Sequence, residues 1–186
     1  MKYGYYPGCS LERNAIAYHQ SAMAVAAPLG IEFVEVEDWN CCGATEYITV
    51  DLLGAHALVG RNLALAAQQP GNGHQLVAPC SACFLNLSKT DRYMLDSPEL
   101  AEKVNAALAA GGLHYTPGSV RVRHLLEVIV NDVGYDAIAA KVTNPLRGLR
   151  VAPYYGCLVV RPGYHDGFDD PEYPTSLDRL MRTLGA

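Results

Sequence analysis

A chain of 186 residues, half of them hydrophobic and 18% charged, is composed for a packed domain with part of a second, not for a disordered segment. The net charge of −5 and the scattered basic residues exclude an electrostatic footprint for nucleic acid or an anionic membrane. No apolar run approaches bilayer length, and residues 1–8 lack an apolar signal core. The six cysteines are therefore expected in a reducing, cytoplasmic setting, where thiols serve metals or redox chemistry.

In chain order, Lys2 to Tyr6 reads as a short first strand stopped by Pro7-Gly8, with Cys9 directly after it. Leu11 to Leu29 is Ala-rich, with Ile16, Met23 and Val25 spaced for one helical face, and Gly30 ends it. Ile31 to Val36 alternates apolar and acidic residues as a second strand, followed by Trp39 and Cys41-Cys42. Asp51 to Gln68 is a second helix, closed by Pro70-Gly71-Asn72-Gly73. Gln75 to Ala78 is a third, buried strand, then Pro79-Cys80 and a third helix from Ser81 towards Tyr93. Pro98 to Ala110 reads as a surface helix with Glu99 and Glu102 near its positive end. Val120 to Val133 is expected as a core-facing helix, with Arg121-Val122-Arg123-His124 as its solvated edge.

The pattern strand–cysteine–helix, three times over, predicts an α/β fold: a mainly parallel sheet with flanking helices and the cysteine loops at the carboxyl ends of the strands. Right-handed crossovers put those ends on one sheet edge, where ligands of open α/β sheets bind. Cysteines distant in sequence then meet in space. Adjacent cysteines such as Cys41-Cys42 make a poor disulfide, but both can face one centre if the chain turns at Gly43. Cys9, Cys41, Cys42, Cys80 and Cys83 accordingly form one candidate set of metal ligands.

A repeat is visible as well. Leu149 to Ala152, expected as a strand, leads into Tyr154-Tyr155-Gly156-Cys157, which parallels Tyr5-Tyr6-Pro7-Gly8-Cys9, and Leu177 to Leu184 reads as the following helix. An acidic insertion, from Asp166 to Pro174, separates the two parts of this second unit. The expected organisation is a complete cysteine-rich domain over 1–148 and the start of a second, interrupted repeat over 149–186. The chain is read as a fragment, or as one completed by a partner.

The order Cys9, thirty-one residues, Cys41-Cys42-Gly43, thirty-six residues, Cys80-x-x-Cys83 resembles the cysteine-rich CCG domain of the heterodisulfide reductase B-subunit family. Pro153-Tyr154-Tyr155-Gly156-Cys157 with Arg161-Pro162 resembles the start of that family's second copy. The resemblance implies a noncubane [4Fe-4S] cluster held by Cys9, Cys41, Cys42, Cys80 and Cys83, and an oxidoreductase acting on sulfur groups. It implies a disulfide or thiol substrate, with electrons delivered by iron–sulfur and flavin subunits. Catalytic side chains beyond the cluster are not identified by it. Since only Cys157 of the second motif is present, disulfide cleavage is expected of a fuller assembly and not of this chain by itself.

Other readings of the same residues stay open. Four of the five cysteines could bind zinc in a non-catalytic docking module, and related Cys-Cys-Gly motifs occur in iron–sulfur subunits that oxidise lactate, glycolate or glycerol 3-phosphate. Those relatives carry a ferredoxin-type segment ahead of the domain, whereas no cysteine precedes Cys9. For Cys157, a free thiol and a ligand weigh equally. The histidines (His19, His56, His74, His114, His124, His165) show no metal spacing, and Gly71-Asn72-Gly73 precedes a strand, so it is a turn and not a dinucleotide loop. Asp166, Asp169, Asp170 and Glu172 lack EF-hand spacing and read as a solvated loop.

Overall fold

The computed structural model describes residues 1–164 and 167–186, so His165 and Asp166, the first residue of the expected insertion, lie outside the described residues. Four strands, β1 (Lys2–Tyr5), β2 (Glu32–Glu35), β3 (Gln75–Ala78) and β4 (Arg121–His124), form one parallel sheet in the order β2-β1-β3-β4. Its register sets Tyr5 against Glu35 on one side and Val77 on the other, and Ala78 against His124. The expected α/β class and parallel sheet are what the chain forms.

Short buried strands with helices between them force this arrangement, because parallel neighbours need crossovers. On one face, α3 (Leu52–Gln68), α4 (Ser81–Asp96) and α5 (Pro98–Ala109) cover a core of Tyr6, Leu63, Leu76, Phe84, Leu87 and Tyr115. On the other, α1 (Ile16–Ala26) and α6 (Leu125–Glu127) pack around Tyr3, Ala22, Ala26, Val77 and Val128. Alternation along β3 decides the layers: Leu76 and Ala78 belong to the first cluster and Val77 to the second. A one-turn helix, α2 (Tyr47–Val50), precedes α3, and Val128–Val133 is π-helical before α7 (Tyr135–Ala139). The chain then runs to α8 (Cys157–Val160) and α9 (Ser176–Thr183).

Three expectations need correction. The span 120–133 is not one helix, since Arg121–His124 pairs with β3 as the fourth strand and Arg123 is buried, 4% exposed. Its apolar residues satisfy the strand period over Val120 and Val122 as well as the helical one, and an open edge of β3 was there to be paired. Along α1, Ile16, Met23 and Val25 are exposed, and the helix seats itself on Ala22 and Ala26 instead, the small residues that allow close approach to the sheet. Among the described residues Leu149 to Ala152 has no sheet partner, and Leu149 and Val151 are exposed, because a strand exists only through a neighbour's backbone.

Candidate metal centre

The sheet order creates a switch point between β1 and β3, whose connections leave in opposite directions. In open parallel sheets that point, beyond the strand ends, is where ligands bind. Cys9 follows β1 and Cys80 follows β3, so they flank it, and the Cys41-Cys42 loop arrives from β2 beside them. Cys9 Sγ lies 3.3 Å from Cys41 Sγ, and Cys42 Sγ lies 3.5 Å from Cys83 Sγ. Residues 32 to 41 apart in sequence thus meet sulfur to sulfur. Cys9 and Cys41 sit at the mouth, Cys42 and Cys83 at the buried base, and Cys80 between.

Two glycines make this convergence possible. Gly8 has φ +74°, and a Cβ there would stand 2.7 Å from Cys83 Sγ, so only glycine lets the Cys9 turn close over the base. Gly43 has φ +79°, with a would-be Cβ 3.0 Å from Tyr47 Cβ, and it turns the vicinal pair back into the pocket.

Electrostatics binds the same residues together. Cys83 is hydrogen-bonded to Cys42 and Cys80 on either side; these contacts, with burial, push its own thiol far up. The hydrogen bond with Cys83 lowers Cys42 to about 6 against the opposing cost of burial, helped by the Ala44 amide and Asn86. Cys83 likewise lowers Cys80 to about 6, aided by the first-turn amides of Ala82 and Cys83 at the positive end of α4. Cys9 is pushed up to about 11, first by its contact with Cys41 and then by burial. Tyr6, fully buried beneath the pocket, is raised first by desolvation and then by Cys83, Cys42, Cys41 and Cys9. One phenol feels four of the five sulfurs.

The loops are held by polar side chains that the sequence reading missed. Asn62, wholly buried on α3, accepts from the Asn40 N–H at 2.9 Å and donates to the Asn40 carbonyl at 2.9 Å. Tyr6 Oη donates to that same carbonyl at 2.6 Å, while Arg61 donates to Asn40 Oδ1 at 3.1 Å. Tyr18 Oη reaches the Pro79 carbonyl at 3.3 Å, before Cys80. Asn86 on α4 contacts Cys42 and Ala44. A signal existed: asparagines at core positions of two otherwise apolar helix faces need partners, and loop backbone is the nearest supply.

Helix N-termini were expected after every cysteine loop. α4 meets that expectation at Cys80, whereas α1 begins only at Ile16, because residues 9–15 are spent on turns such as Leu11 N–H to Gly8 O at 3.2 Å. Cys157 is exposed at the start of α8, and a Cβ on the preceding Gly156 would lie 4.0 Å from Ser81 Oγ. The second Gly-Cys turn therefore stands beside the first residue of α4. Its Tyr155 donates from Oη to Asp178 at 2.9 Å, and Tyr154 is solvent-facing. Among the described residues no group of three or more His, Cys, Asp or Glu side chains is gathered around a single-ion position.

This architecture defines a cysteine-rich α/β domain with five thiols gathered at the switch point of a parallel sheet. Residues 3–88 match the family described as the CCG cysteine-rich domain, and matches to proteins named as the B-subunit of heterodisulfide reductase, or as similar to it, run along all or nearly all of the chain. The chain is 33% identical over its whole length to a heterodisulfide reductase B-subunit-like protein of Archaeoglobus profundus, covering 62% of that protein. It is 35% identical to the 8-methylmenaquinol:fumarate reductase membrane anchor subunit of Wolinella succinogenes, again over the whole chain and 62% of the relative. The B-subunit of a ferredoxin/F(420)H(2)-dependent CoB-CoM heterodisulfide reductase of Methanosarcina acetivorans is 25% identical, with 60% covered. The chain thus spans about three fifths of the length of these relatives. A crystal structure of a hypothetical Helicobacter pylori protein shares the fold, with a TM-score of 0.59 and 19% identity over 69% of this chain and 25% of that one. Among the described residues no helix is long and apolar enough to cross a membrane.

Proposed function

We propose that this chain is the iron–sulfur subunit, or part of it, of a heterodisulfide-reductase-like complex. Cys9, Cys41, Cys42, Cys80 and Cys83 would hold a noncubane [4Fe-4S] cluster. The observation that carries the reading is the meeting of five soft thiols from three loops at one sheet edge. Their chemistry suits iron–sulfur ligation, and their spread over two close pairs favours a polynuclear centre over a single tetrahedral zinc. When bound, such a centre supplies one-electron chemistry for breaking or making a disulfide.

The protein's own groups have separable tasks. The first-turn amides of α4 and the Asn86 amide offset the negative charge of the thiolates at the base. Cys9 and Cys41, exposed at the mouth, leave an approach for a disulfide or thiol substrate. The Tyr6 ring closes the floor against water. Residues 149–186, with Cys157 turned beside Ser81, are read as the opening of a second CCG unit, and iron–sulfur and flavin subunits as the electron donors. The Wolinella relative favours a second reading, in which the same centre passes electrons within a quinol-linked complex instead of to a disulfide.

The test is anaerobic. The purified protein should carry about four irons and matching acid-labile sulfide per chain, with an EPR signal after oxidation that changes when thiol is added. Cys41→Ser and Cys42→Ser should each abolish it, and Cys157→Ser should leave it. One zinc per chain without sulfide would overturn the proposal, and a thiol-insensitive signal would favour the quinol-linked reading.

A further inference from the structure

We infer that Asn86 is a positioning residue for Cys42, locking the vicinal-cysteine turn by its backbone and donating to the Cys42 sulfur; this rests on the ligand role proposed for Cys42. The turn needs such a lock. Gly43 and Ala44 are left-handed in succession, at φ +79° and φ +50°. For alanine that conformation costs about 1–2 kcal/mol, and it persists only where the surroundings over-determine it. Asn62, Tyr6 and Arg61 do not supply the constraint, because all three hold Asn40, upstream of the turn.

Asn86 does. It is 8% exposed on the inner face of α4, with Nδ2 2.5 Å from the Ala44 carbonyl, 3.3 Å from the Cys42 carbonyl and 3.6 Å from Cys42 Sγ. A side-chain amide has two hydrogens, so Ala44 takes one while the carbonyl and sulfur of Cys42 share the other. One rigid helical residue therefore spans the strained dipeptide and touches the sulfur at its start. Donors aimed at a cluster's sulfurs favour its more negative, reduced state and raise the potential. Asn86 thus couples the shape of the loop to the poise of whatever iron centre Cys42 holds.

The experiment compares wild type with Asn86→Leu, which keeps the bulk and removes both donors, and with Asn86→Asp, an isostere lacking the N–H groups. In metal-free protein, amide exchange over residues 41–46 should accelerate at least tenfold in both variants, while exchange within α3 stays unchanged. In iron-loaded protein, the midpoint potential from EPR-monitored titration should move to more negative values. If the leucine variant does not fold, the aspartate variant carries both readouts. Unchanged exchange in a folded variant overturns the lock, and an unchanged potential in a variant with full iron content overturns the donation to sulfur. A wild-type chain that binds no iron would sink the proposed function while leaving the exchange measurement to decide the lock by itself.

Discussion

At Gly8 two demands coincide, a left-handed backbone and a missing side chain. Gly8→Ala would meet Cys83 Sγ at 2.7 Å as well as adopt φ +74°. Gly30 has nearly the same backbone, φ +71°, but open space where a Cβ would go. Both alanine variants should lose about 1–2 kcal/mol to backbone strain in thermal or denaturant unfolding. Only Gly8→Ala should also lose iron, because the Cys9 turn must back away from the base of the pocket. Equal iron retention in the two would show that the close approach does not matter. At this scale the sequence was informative about cysteines and glycines, whose chemistry restricts their uses. For Asn62 and Asn86 it offered only their place on apolar helix faces, since an asparagine declares its role only through its partner.

The helices show where local signals suffice. The α5 start is fixed locally, since Ser97 caps it and Pro98 is pre-set for the first turn; the Ser97 hydroxyl accepts from Leu100 N–H at 3.3 Å. Ser97→Ala should cost about 1 kcal/mol in denaturant unfolding and leave iron content unchanged, because α5 packs on α3 and α4 away from the thiols. α1 was placed by composition, yet its buried side was misjudged. An Ala-rich helix carries too little contrast between faces, and the sheet it meets chooses which small residues go under. The stretch 120–133 divided into strand and helix for a similar reason, as tertiary pairing overrode an ambiguous period.

For the molecule as a whole, the fourth strand is fastened through a buried ion network that no local pattern announces. Arg123 donates to Glu127 at 2.7 Å, to Asp132 at 2.5 and 2.9 Å and to Gln75 at 3.1 Å, and Tyr3 of β1 donates to Asp132 at 2.5 Å. The network ties β4 and the π-helical turn to β3 and β1 across the sheet. Arg123→Met takes from the buried Glu127 carboxylate its 2.7 Å partner, leaving the longer Arg121 contact at 3.4 Å, and should cost about 3–5 kcal/mol. Burial alone would raise the Asp132 carboxyl, but the donors Arg123 and Tyr3 outweigh it and hold it below its ordinary value. The sign follows from linkage: this contribution is present above the unfolded value of 3.8 and fades as pH falls through the lower folded one. Asp132→Asn should therefore be less stable than wild type at neutral pH, with the gap closing on acidification below about pH 4. A gap that is constant with pH would show that the charge on Asp132 does no work.

The alternation of short apolar strands with helices, and the five cysteines set at strand ends, are written in the amino-acid order. From these the parallel sheet and the gathering of thiols follow, because crossover handedness leaves the strand ends one edge to share. Pairing was settled only in the folded chain: which asparagine meets which carbonyl, which face of α1 is covered, and that Arg121–His124 joins the sheet. Composition and period encode how far a residue prefers burial, whereas hydrogen bonds and ion pairs depend on partners tens of residues away, which become neighbours only when the chain has closed on itself.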